Sequence, residues 1–194
     1  MKPAVKAVLA AFSAITLLAG IALGVDSLSN PDTVAAAGST QADDGGASGS
    51  ITAGTLYAAS FHDLDGNTLT LGRWHDRLLV VNFWATWCAP CKEEMPIFSA
   101  VQARHRENGL QVVGIAADSA ANVAKFQKNT PVDYLLLPDE MGAIKLSKRL
   151  GNRFGLLPHT VIFAPGGRQV YAKLGVVTES ELEAIVVKNM PKIR

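Results

Sequence analysis

The sequence predicts an α/β domain: a central mixed sheet flanked by helices, with an N-terminal β-hairpin before it and a βα unit inserted at its centre. Three observations carry that prediction. Apolar runs such as Leu78–Trp84 and Leu110–Ala116 show almost no polar alternation and read as strands buried on both faces. Helix-period stretches separate these runs, which is the alternation of a layered α/β fold. Two turn signals, Asp65-Gly66-Asn67 and Pro165-Gly166-Gly167, mark hairpins on either side of the alternation.

The first fifty residues stand apart from this domain. After Lys2 and Lys6 the chain is uncharged from Ala7 to Val25. Such a run spans about 28 Å as a helix, close to a bilayer's hydrocarbon thickness. The two lysines hold the N-terminus in the cytoplasm under the positive-inside bias, so everything after residue 25 is exported. Residues 1–25 therefore read as a membrane anchor or as a signal peptide, with Ala22-Leu23-Gly24 the better-placed cleavage site. Both readings put the domain in the periplasm or an equivalent extracytoplasmic space. Residues 26–50 are rich in Ser, Asp, Ala, Thr and Gly, and read as a flexible linker. Residues 51–194 form the folded domain.

Within that domain, Ala59–Leu64 and Leu69–Leu71 flank the first turn signal as a hairpin. Leu78–Trp84 is the first buried strand. A helix runs from Pro90 to Asn108, with Met95, Phe98, Val101 and Gln102 facing inward, and Gly109 ends it. Leu110–Ala116 is a strand, Asn122–Lys128 a helix, Asp133–Leu137 a strand and Ala143–Leu150 a helix closed by Gly151. His159–Phe163 and Gln169–Lys173 form the second hairpin. Thr178 with Glu181 makes a capping box for a last helix ending near Met190.

Composition narrows the function classes. Among 194 residues, 18 Lys+Arg against 17 Asp+Glu leave a formal charge of +1, which lacks the basic excess of a nucleic-acid binder. Two cysteines cannot make a multi-disulfide scaffold. The four histidines (His62, His75, His105, His159) are too scattered to complete a zinc site with them, so no metal or cofactor is expected.

The chemistry concentrates where a strand runs into a helix: Asn82-Phe83-Trp84-Ala85-Thr86-Trp87-Cys88-Ala89-Pro90-Cys91-Lys92-Glu93-Glu94-Met95-Pro96. Cys88 falls at the helix start, where unpaired N–H groups and the helix dipole favour a thiolate. That setting lowers a thiol's pKa into the range ~3.5–7.5 and makes Cys88 a nucleophile. Cys91 lies one turn on along the same face, placed to close a disulfide with Cys88 and to resolve a mixed disulfide. Ala89-Pro90 is the short spacer between them.

With its flanking tryptophans, this motif resembles the membrane-anchored thioredoxin-like family of the TlpA/ResA type, within the redoxin superfamily. The likeness extends over residues 59–190. It includes Glu93-Glu94-Met95-Pro96, Val113-Gly114-Ile115 with Asp118, Gly155-Leu156-Leu157-Pro158-His159-Thr160 and the capped last helix. The resemblance implies a thioredoxin-like fold and extracytoplasmic thiol–disulfide exchange, in several members serving cytochrome c maturation. It implies protein disulfides or thiols as substrates, a membrane electron donor, attachment to the inner membrane through the N-terminal helix, and no nucleic-acid partner. By match, Pro158 is a cis-proline lining the substrate groove and Glu94 a buried acid moving protons for Cys91. Trp87 is an aromatic packed beside Cys88. Ala89, Pro90, Leu157 and His159 complete the groove; the family varies at the position of His159, where a nearby imidazole could modulate the Cys88 thiolate. Many thioredoxins carry an Asp where this chain has Asn82, which cannot titrate, so the proton work shifts to Glu94.

Blander readings stand beside these. The cysteines could form a structural disulfide in an exported domain. Glu94 could be a solvated helix acid, as Glu93 is expected to be. His159 could be an ordinary strand residue, Trp84 plain packing, and Lys145, Lys148 and Arg149 a solvated helix face. The rival functions are a thiol oxidase of exported proteins and, on less evidence, a copper-binding chaperone. A peroxidase of the related fold would need a Pro-x-x-x-Thr loop that Phe83–Trp87 does not supply.

Overall fold

The computed structural model describes residues 54–190. The segments read as anchor or signal peptide (1–25) and linker (26–50) lie outside them. Ser60–His62 (β1) and Thr68–Thr70 (β2) pair antiparallel around the Asp65-Gly66-Asn67 turn. The Asp63 carboxylate organises that turn by accepting from the backbone N–H of Asp65 at 3.0 Å and of Asn67 at 2.8 Å.

The main sheet contains Leu78–Trp84 (β3), Leu110–Ala116 (β4), Leu135–Pro138 (β5), His159–Phe163 (β6) and Gln169–Leu174 (β7), in the order β5-β4-β3-β6-β7. Strands β3, β4 and β5 run parallel, β6 runs against β3, and β7 against β6. Beyond a short helical stretch at residues 54–58, the helices are Ala89–His105 (α1), Ala120–Asn129 (α2), Ala143–Arg149 (α3) and Glu179–Asn189 (α4). This is the thioredoxin-like arrangement, with the leading hairpin and the extra βα unit.

Successive side chains of a strand point to opposite faces, and the two faces bury different helices. Val80 and Trp84 of β3 pack with Met95 and Phe98 of α1 and with Leu182 of α4. Val81 and Phe83 pack on the other side with Leu146 of α3 and Phe61 of the hairpin. Gly114 of β4 pairs with Asn82, and the absence of a side chain there matters. A Cβ would lie 3.0 Å from both Trp84 Nε1 and Leu136 Cδ2, so any side chain here would press the indole and the leucine out of their present positions. Trp84 is fully buried with Phe126 at 4.9 Å, a core residue as expected.

The boundaries differ from the sequence reading where side chains capture backbone groups. Strand β5 starts at Leu135 because Asp133 is diverted: its N–H donates to Ser99 Oγ and its carbonyl accepts from Arg106. Helix α2 starts at Ala120 because Ser119 caps it, accepting from Asn122 N–H at 3.3 Å. Helix α1 gives way to a 3-10 turn at Arg106–Asn108 before Gly109, whose φ of 96° suits glycine. The capping box of α4 is half formed. Thr178 Oγ1 accepts from Glu181 N–H, but the Glu181 carboxylate turns away to accept from Tyr171 Oη at 2.8 Å and Lys173 Nζ at 2.6 Å.

Candidate active site

Cys88 is the N-cap of α1: its backbone is extended, and its Sγ accepts from the Cys91 N–H at 3.3 Å. Pro90 occupies the first turn, where a missing N–H costs nothing. Cys88 and Cys91 are joined as a disulfide across a Cα–Cα distance of 5.3 Å. Cys91 is fully buried and Cys88 nearly so. The helix start that places one sulfur at its N-cap thus also buries its partner one turn along.

Glu94, the next residue on that face, is completely buried, whereas Glu93 is exposed. Its Oε1 accepts from Asn82 Nδ2 of β3 at 2.7 Å, and its Oε2 from the Val177 N–H ahead of α4 at 2.8 Å. Burial pushes the Glu94 carboxyl up to about 7, against these two hydrogen bonds and the Lys173 charge, which favour ionisation. Asn82 also donates to Thr160 Oγ1 of β6 at 3.1 Å, tying the acid to the strand that follows Pro158. A carboxyl balanced near neutrality beside the inner cysteine can take and return a proton.

The loop before Cys88 is anchored separately. The Asp118 carboxylate accepts from the Thr86 hydroxyl and backbone N–H, from the Ser119 N–H and from Asn122 Nδ2. Desolvation opposes its ionisation, but these four hydrogen bonds hold it below the usual carboxylate range. The loop from β3 to α1 is thereby fastened to the loop from β4 to α2.

Pro158 follows a cis peptide bond from Leu157 and is buried. The pairing of Phe83 with His159 puts Pro158 at the end of the sheet where β3 leaves for the cysteine loop. Leu157 is half-buried against the core that includes both cysteines. Ala89, Pro90 and Trp87 are exposed; Trp87 is 70% exposed, so the packing beside Cys88 that the resemblance implies is slight.

His159 is placed differently from the expectation. It is 2% exposed, stacks on Phe83 at 5.6 Å, and belongs to the face of β6 that looks toward α3, away from the cysteine helix. Strand alternation is the reason, since Thr160 and not His159 faces α1. Its Nδ1 is 2.9 Å from Ser147 Oγ, and burial lowers the imidazole to about 4, so it is neutral and away from the groove.

The sequence reading did not find the roles of Val177 and Thr160, and it treated Asn82 only as a missing acid. Their partners are 83, 78 and 12 residues away along the chain, and no local pattern records such contacts. A separate cleft of about 600 Å³, lined by residues including Trp74, Arg77, Arg106 and Gln111, lies at the opposite end of the sheet from Cys88.

The chain is 29% identical over 131 residues to the thiol-disulfide oxidoreductase ResA of Oceanobacillus iheyensis, covering 67% of this chain and 66% of the relative. ResA of Bacillus cereus is 28% identical, covering 66% and 73%. A solved thioredoxin-related protein from Neisseria meningitidis serogroup B is 32% identical, covers 66% of this chain and 97% of its own, and superposes with a TM-score of 0.60. The Redoxin family model matches residues 48–186, and the protein with this cysteine pair on this fold belongs to the Redoxin family.

Proposed function

We propose that this redoxin is a thiol–disulfide oxidoreductase that reduces disulfides of protein clients outside the cytoplasm. The observation that carries the reading is the buried Glu94 carboxyl, poised near 7 one turn after Cys91, beside a cysteine pair at a helix start. A structural disulfide needs neither. In the reducing direction the Cys88 thiolate attacks one sulfur of a client disulfide, forming a mixed disulfide and releasing the other client sulfur as a thiolate. Glu94 accepts the proton of the Cys91 thiol. The Cys91 thiolate then attacks Cys88 Sγ, releases the second client sulfur, and leaves the pair oxidised by two electrons. A dithiol donor at the membrane restores the pair.

The exposed apolar side chains support a polypeptide client. Among the described residues, Trp87, Met141, Phe154, Leu156, Leu174 and Val176 all lie in segments at, or leading into, the cysteine end of the sheet. Only Val187, of the large apolar residues exposed, lies elsewhere. Apolar exposure concentrated at one end is the mark of a docking face. The groove between Ala89-Pro90 and Leu157-Pro158 receives the client strand, with Trp87 at its mouth.

Export rests on the N-terminal sequence, Lys2 and Lys6 followed by the apolar run 7–25, as an inner-membrane anchor or a cleaved signal. Among the described residues no helix is long and apolar enough to cross a membrane. The resemblance to the anchored oxidoreductases makes apocytochrome c the first client to test. A Cys91→Ser variant of the full chain should accumulate mixed disulfides through Cys88, and its partners identify the clients. The reduction potential of the Cys88–Cys91 pair decides direction. A value near −270 mV, that of thioredoxin, supports reduction, and one near −120 mV makes the protein a thiol oxidase.

A further inference from the structure

The segment that delivers Pro158 is held by a buried polar strut that disulfide exchange itself does not require. Asn152 is fully buried, and its side chain grips the backbone of Leu156 at both ends. Nδ2 donates to the Leu156 carbonyl at 2.7 Å, and Oδ1 accepts from the Leu156 N–H at 3.0 Å. Nδ2 also donates to Ser147 Oγ of α3 at 2.8 Å, and Ser147 Oγ in turn hydrogen-bonds His159 Nδ1 of β6 at 2.9 Å. The Asn152 carbonyl accepts from the Gly155 N–H at 3.0 Å, which closes the loop on itself. Burying this many polar groups is tolerable only because every one is paired, and such a network fixes one conformation.

What the fixed loop presents to solvent is apolar. Phe154 is 76% exposed and Leu156 57% exposed, although the backbone beneath them is pinned. A rigid backbone under exposed apolar side chains is the property of a preorganised docking element, which lowers the ordering cost of binding. Its surroundings are basic. Arg153 is exposed within the loop, and Lys148 of α3 lies against it, since a Cβ at Gly155 would sit 3.0 Å from Lys148 Cε. Among the described residues neither Lys148 nor Arg153 is in an ion pair.

We propose that residues 152–156 select the client: Asn152 positions Phe154 and Leu156 to receive an apolar side chain near the client's disulfide, and Lys148 and Arg153 favour acidic neighbours beside it. The partner is a polypeptide segment of mixed apolar and acidic character, continuous with the groove at Leu157-Pro158. This rests on the oxidoreductase reading and names its substrate class.

The test uses two cystine-linked peptide homodimers of equal length, reduced by the full-length protein. One has Leu flanked by Glu next to its cysteine; the other has Ser flanked by Lys. The protein should reduce the first with a KM about tenfold lower, the size of effect one buried apolar side chain supplies. Asn152→Ala should raise KM for the Leu/Glu peptide toward that of the other, with kcat and the reduction potential of the cysteine pair held. Leu156→Ser, an exposed position, should do the same and keeps the test decisive should Asn152→Ala fail to fold. Arg153→Glu should erase or reverse the charge preference. Equal KM values for the two peptides, or a Leu156→Ser variant as discriminating as the natural protein, overturn the selection alone. Failure to reduce either peptide overturns the oxidoreductase reading and the selection with it.

Discussion

Glu94 shows how the surroundings of a single side chain reset its ionisation. Placed on a solvated turn it would be ionised well below neutrality; buried between Asn82 and the Val177 N–H it is held up to about 7. As base for the Cys91 thiol it must be ionised, so the rate of mixed-disulfide resolution should rise with pH through about 7 and level off above it. Glu94→Gln should slow that step by about 100-fold, within the range for a positioned base, and abolish the inflection. Asn82→Ala removes a hydrogen bond to the charged form and should move the inflection upward. Stopped-flow measurement of client release against pH checks both; an inflection that survives in Glu94→Gln assigns the proton work to another group. The placement of Cys88 and Cys91 was legible because it follows from three-residue spacing at one helix start, whereas the burial of Glu94 was implied only by the family resemblance. Adjacency to Pro158 suggests the groove for His159, but strand alternation turns the imidazole to the other face of the sheet, where it is the ordinary strand residue the sequence also allowed.

Elements were readable wherever local chemistry determines them. The buried strands β3 and β4 match their apolar runs from end to end, because Asn82 and Gln111 are the single polar residues in otherwise apolar stretches. Ends decided by distant side chains were not readable. Glu181 abandons its capping partner for Tyr171 and Lys173, two residues on a strand that the pattern around Thr178 does not mention. The contact between Thr86 and Asp118 fastens the cysteine loop to the α2 loop. Thr86→Val keeps the shape and deletes the hydroxyl donor to a largely buried carboxylate. It should lower stability by about 1.5–3 kcal/mol, the range for hydrogen bonds to charged groups, read as a lower urea midpoint at unchanged slope. A midpoint unmoved by the substitution would show that the other three donors suffice.

At the scale of the molecule, two buried titratable groups oppose one another. His159 has a folded pKa of about 4 against 6.5 unfolded, so its contribution to stability is present above 6.5 and lost as pH falls toward 4. Glu94 has a folded pKa of about 7 against 4.5, so its contribution is present below 4.5 and lost as pH rises through 7. Each contributes a slope of about 1.4 kcal/mol per pH unit of opposite sign, and between 4.5 and 6.5 the two cancel. In Glu94→Gln, stability should therefore rise with pH by about 3 kcal/mol between 4 and 6.5. In His159→Gln it should fall by about 3 kcal/mol between 4.5 and 7. Denaturant midpoints across this range, with the natural protein as reference, test the pair; parallel curves for the two variants would contradict the opposition.

The cysteine pair closes a ring of only four residues within the first turn of α1. In the chain-entropy view so small a ring constrains the unfolded chain by only about 2 kcal/mol, against nearly 5 for a bridge spanning a hundred residues. No distant segments are clamped or released when the pair gains or loses its electrons. Making or breaking this bond therefore adds or removes no tether between remote parts of the chain, and the fold's mechanical integrity rests on its packed core instead.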